Sequence, residues 1–119
     1  MSSAAVLEHP CLADCKESPC GVCRQVKRAR QRALACGYRG PHFTGPEWRA
    51  LLFSCGWRCL SCGTGEDLSV DHVVPLSLGG ANTIENVQVL CQECNGEKGL
   101  AATDYRPSSI RGGENGIAP

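Results

Sequence analysis

Val70-Asp71-His72-Val73-Val74-Pro75-Leu76-Ser77, taken with Glu85-Asn86-Val87-Gln88-Val89-Leu90 and Cys91-Gln92-Glu93-Cys94-Asn95, is the stretch whose reading decides the fold. From Leu68 to Val74 the chain is rich in β-branched residues and partly alternates with period two. That pattern predicts a strand, which Pro75 stops by removing a backbone donor. Gly79-Gly80-Ala81-Asn82 marks a loop. Asn86 to Leu90 reads as a second strand or a short turn, Gln92 to Lys98 as a short helix, and Gly99 closes it.

A second pair of cysteines, Cys59-Leu60-Ser61-Cys62, stands upstream of this stretch and matches Cys91/Cys94. Two cysteines so close bond poorly to each other but fit two corners of a tetrahedron. The two pairs together predict a closed four-thiolate zinc site that stabilises and does not catalyse, because no position is left open. Cys11, Cys15, Cys20 and Cys23, with His9 just ahead, predict a second zinc knuckle; the alternative is that some are free thiols and Cys36 completes the site. Either way the chain is expected to bind Zn2+ as one or two structural ions.

Composition makes such staples necessary. At 119 residues with 14 glycines, 7 prolines and 5% aromatics, the apolar core must be thin. No apolar stretch preceded by positive charge opens the chain, and none approaches the roughly 18 residues of a membrane span. Cytoplasmic placement follows as the expectation, and there thiols stay reduced.

Net charge is zero, but its distribution is uneven. From Arg24 to Arg58 the chain carries Arg24, Lys27, Arg28, Arg30, Arg32, Arg39, Arg49 and Arg58 against Glu47 alone. From Glu66 to Asp104 it carries Glu66, Asp67, Asp71, Glu85, Glu93, Glu97 and Asp104 against Lys98 alone. The first half suits a polyanion and the second suits cations. Residues 22–35 read as a helix with Val22, Val26, Ala29 and Ala33 on one face, and Arg24, Lys27, Arg28 and Arg32 largely away from it. Those four, with Lys98, are the expected contacts to a phosphate backbone, the alternative being an ordinary solvated face. Tyr38 to Phe43 is a turn-rich linker. Thr44-Gly45-Pro46-Glu47 is a capping box opening a helix whose Trp48, Leu51, Leu52 and Cys55 face the core. The expected division is 1–43 as zinc knuckle and basic helix, 44–105 as the main domain, and 106–119 as a flexible tail.

Asp71 and Asn95 offer oxygen ligands suited to Mg2+ or Mn2+, and His72 can take a proton near neutral pH. With Gly79-Gly80, Asn86, Cys91, Cys94-Asn95 and Lys98, the motif across about residues 55–100 resembles the HNH endonuclease family. The resemblance implies a small α+β fold, a ββα-metal finger built on a four-cysteine zinc. It further implies His72 as general base, Asp71 and Asn95 as ligands of the catalytic cation, and Asn86 as the asparagine that braces the loop or orients His72. Many members carry histidine where this chain has Asn95, which tilts the metal toward Mg2+ or Mn2+. The implied activity is hydrolysis of DNA to 5′-phosphate and 3′-hydroxyl ends, and phage packaging proteins are possible partners. The rival reading is a non-catalytic, zinc-stabilised nucleic-acid-binding or adaptor protein. Strand alternation poses one puzzle: Asp71 and His72 should point to opposite faces yet serve one phosphate, so the strand must bend or end there.

Overall fold

The structure is a computed structural model that describes residues 20–110. Its elements run α1 (Gly21–Ala35), α2 (Gly45–Ser54), β1 (Leu68–His72), β2 (Val87–Cys91) and α3 (Gln92–Lys98), with 3-10 turns at Leu76–Leu78 and Ile84–Asn86. The fold is small α+β, as the sequence predicts. Cys11 and Cys15 lie outside the described residues, as does His9.

β1 and β2 form an antiparallel hairpin with Val70 opposite Val89, Asp71 opposite Gln88 and His72 opposite Val87. Side chains alternate across a strand, so Val70, Val87 and Val89 share one face. They pack there with Val22 and Ala29 of α1, Phe43, and Trp48, Leu51 and Leu52 of α2. Leu90, on the other face, packs with Cys59, Cys91 and Cys94 in a second cluster where β2 runs into α3. The hairpin is thus covered on both sides, and every residue of β2 is buried.

The helix starts follow local chemistry. Thr44 and Glu47 form the expected capping box, each satisfying a backbone N–H of the other. Cys20 caps α1 through its sulfur, which accepts from the Cys23 amide at 3.4 Å. Trp48 is wholly buried, and its indole N–H donates to Gln25 Oε1 at 2.8 Å. Gln25 in turn donates to the Leu68 carbonyl at 2.7 Å, which fastens α1 and α2 to the start of β1.

Two boundaries differ from expectation. Residues 20–43 are not a separate unit, because α1 and Phe43 supply part of the core on which the hairpin rests. The expected tail also begins too early at residue 106. Arg106 is buried, grips Asp104 at 2.9 Å and donates to the Glu85 carbonyl at 2.6 Å, and Ile110 packs on the main core. A guanidinium and one isoleucine, each with a partner, overcome the local Pro-Ser composition.

Candidate active site

Cys59 and Cys62 sit on a turn before β1, while Cys91 ends β2 and Cys94 lies in the first turn of α3. Their four sulfurs all lie within 4.8 Å of one another. Backbone amides point at the sulfurs: Ser61 and Cys62 donate to Cys59 Sγ at 3.3 and 3.4 Å, and Cys94 donates to Cys91 Sγ at 3.4 Å. Burial pushes the Cys59 thiol up, but the amides of Cys62, Cys91 and Ser61 outweigh it and bring the pKa to about 6. Ser61 lowers Cys94, yet Cys91, burial and the remaining two thiols drive it up to about 12. Four thiolates cannot share this space without a cation to hold them. The cluster fits a zinc ion.

The alternation puzzle resolves at the end of β1. Pairing stops at His72, where Val73 N–H turns to the Asn86 carbonyl at 2.8 Å. Asp71 and His72 do lie on opposite faces, but both line one cavity of about 450 Å3 beside β1. Arg28 and Arg32 of α1 line it too, as does Asn95. Arg24 and Lys27 do not appear in its lining. The alternate carbonyls of β1 are each taken by a side chain: Leu68 by Gln25, Val70 by Asn95 Nδ2 at 3.2 Å, and His72 by Lys98 Nζ at 3.1 Å. This edge would otherwise be an open ladder. Because Asn95 spends its amide nitrogen on Val70 and on Ser69 Oγ at 3.1 Å, Oδ1 is the atom it retains for a ligand.

Asp71 is 5% exposed. Its Oδ2 accepts from Gln88 Nε2 at 2.9 Å and lies 3.3 Å from Lys98 Nζ. The expectation of Lys98 on the DNA backbone is corrected here: its side chain is fully buried and its ammonium is committed to Asp71 and the His72 carbonyl. Gln88, unexposed, also donates to the Thr103 carbonyl and accepts from Tyr105 N–H, tying the chain after α3 to the hairpin.

Asn86 braces the loop, and among the described residues its side chain makes no hydrogen bond to His72. Its amide accepts from Val74 N–H and donates to the carbonyls of Val74 and Ala81, all at 2.8 to 3.0 Å. Gly79 turns this loop at φ 93°, and a Cβ on Gly80 would run into the Val74 carbonyl. The partner of His72 is instead Asn82, unexposed, whose Oδ1 is 2.8 Å from Nε2; its Nδ2 is 2.8 Å from Nδ1 of His42. Burial drives the His72 pKa below the ordinary 6.5, with Asn82 opposing and Arg32 adding to the shift. The ring is therefore neutral at pH 7.

The comparison with known families agrees with the resemblance read in the sequence. Residues 59–105 match the HNH endonuclease family model. No curated protein and no solved structure gives a significant match. The matched segment begins at Cys59, the first cysteine of the cluster, and ends at Tyr105, whose N–H donates to Gln88; His42, Arg28 and Arg32 lie before it. Asn82, Gln88 and the inward role of Lys98 went unread in the sequence. Among the described residues, no helix is long and apolar enough to cross a membrane.

Proposed function

We propose that the chain is a metal-dependent endonuclease that hydrolyses phosphodiester bonds in DNA, leaving 5′-phosphate and 3′-hydroxyl ends. The observation that carries this reading is the convergence of Asp71, His72 and Asn95 with Arg28 and Arg32 on one cavity of an HNH segment. Asp71 Oδ1 and Asn95 Oδ1 accept no hydrogen bond among the described residues, and two such oxygens fit a hard divalent cation, Mg2+ or Mn2+, that completes its shell with water and phosphate. When bound, that cation supplies charge stabilisation at the phosphate and the leaving oxygen.

The chain's own groups do the rest. His72, neutral and fixed at Nε2, takes the proton of the attacking water on Nδ1. Lys98 and Gln88 hold the Asp71 carboxylate in place. Arg28 and Arg32, which line the same cavity, meet the phosphate backbone. The zinc cluster fixes Asn95 relative to β1, since Cys91 and Cys94 bracket the turn into its helix.

Nicking of supercoiled plasmid in Mg2+ or Mn2+ tests the reading. Wild type nicks, and His72→Ala loses about 10²- to 10⁴-fold, the usual contribution of a positioned base. Equal nicking by both would remove His72 as the base. A folded, zinc-loaded wild type that nicks in neither metal would leave a binding or adaptor protein.

A further inference from the structure

An amide side chain has one acceptor end and one donor end, so Asn82 cannot treat its two imidazole neighbours alike. With Oδ1 toward His72, Nε2 of His72 must carry its proton and Nδ1 keeps the lone pair. With Nδ2 toward His42, Nδ1 of that ring must be an acceptor and its proton sits on Nε2. Turning the amide over reverses both rings. The lone pair of His72 would then lie on Nε2, pressed against an unexposed amide where no water can reach it.

We propose that His42 and Asn82 are positioning residues that hold the His72 ring in its Nε2–H tautomer, with His42 selecting the orientation of the Asn82 amide. The inference rests on the endonuclease reading for its consequence, though its hydrogen bonds stand in the resting protein. His42 is well placed for the task. Its ring is braced edge-on by Tyr38 at 5.4 Å, and the next residue, Phe43, donates its N–H to the Asn82 carbonyl at 2.8 Å. Burial and then Arg30 hold His42 below the ordinary 6.5, which favours the neutral ring that Nδ1 needs in order to accept. It comes from the linker between α1 and α2, before the matched segment, so the catalytic histidine is oriented from outside the family motif.

The test reads the tautomer directly. Zinc-loaded, 15N-labelled full chain is examined by long-range imidazole proton–nitrogen correlation, without DNA or added divalent cation; three histidines keep the spectrum assignable. In wild type above pH 7, His72 shows a protonated Nε2 and an unprotonated Nδ1. His42→Phe keeps a ring against Tyr38 but removes the acceptor, and shifts the His72 tautomer ratio by about fivefold toward Nδ1–H, the ratio one neutral hydrogen bond sets. In nicking assays kcat falls by a similar factor and KM stays. His42→Gln, whose carbonyl can take the amide proton, retains the wild-type tautomer. Asn82→Asp can only accept, so adding it to His42→Phe restores Nε2–H. An unchanged tautomer in folded His42→Phe, or no restoration in the double variant, overturns the proposal. Since the spectrum needs no cleavage, a protein that shows the shift and never nicks overturns the endonuclease reading alone.

Discussion

Lys98 Nζ stands 3.3 Å from Asp71 Oδ2, with side chains 0% and 5% exposed, at the base of the candidate active site. A buried carboxylate needs such a partner, since removing one member of a buried pair strands the other charge. Lys98→Met should destabilise the metal-free protein by about 3–5 kcal/mol in urea unfolding. Added Mn2+ should recover part of that loss by supplying charge at Asp71. Unchanged stability in Lys98→Met would show that the pair carries little weight.

The His72 shift gives a pH dependence with a definite sign. Burial lowers its folded pKa, so the base form persists to pH values below 6.5. The acidic limb of kcat/KM should therefore fall below 6.5, with a plateau above it. The same shift acts on stability: the unfolded chain takes up a proton near 6.5 while the folded one resists. The contribution is complete above 6.5 and is lost as pH falls from there through the folded pKa. A limb above 6.5 in a nicking pH profile would contradict the assignment.

Removing a zinc-site thiol should cost the fold, not only the activity. Cys94→Ser should lower zinc content by one equivalent in elemental analysis. The free energy of structural zinc binding rivals the ~5–15 kcal/mol by which a domain is stable. The variant should accordingly lose helical signal in far-UV circular dichroism. Retention of full zinc and native ellipticity would contradict a four-thiolate site.

Arg28 and Arg32 line the cavity, whereas Arg24 does not. Arg28→Ala and Arg32→Ala should each raise KM and flatten the slope of log affinity against log salt by about 0.9 on duplex DNA. Arg24→Ala should change the slope less. Three equal slopes would mean that α1 meets DNA along its whole length.

What was legible in the sequence shares a physical basis. The cysteine pairs, the Thr44/Glu47 box and the β1–β2–α3 succession are encoded by spacing between near neighbours, and spacing survives in a linear string. His42 and Asn82 meet across 40 positions, each from a segment that reads as loop, so no periodicity announces them. Lys98 closes a short exposed-looking helix and carries the one basic charge amid acids, the pattern of a surface residue. Only the fold shows that it bends inward to the His72 carbonyl. Arg106 misled in the opposite direction, since a Pro-Ser tail gives no hint of a buried guanidinium.

The docking of α1 through Gln25, Ala29 and Val22 has a consequence for how this protein could be cut or transplanted. Residues 59–105 hold Asp71, His72 and Asn95, yet Val70, Val87 and Val89 rest on α1 and α2. Excised alone, the matched segment would expose a greasy sheet face and give up the cleft's arginine wall in the same stroke. The smallest portable unit therefore starts before α1, and grafting only the signature motif would move its side chains without the frame that seats them.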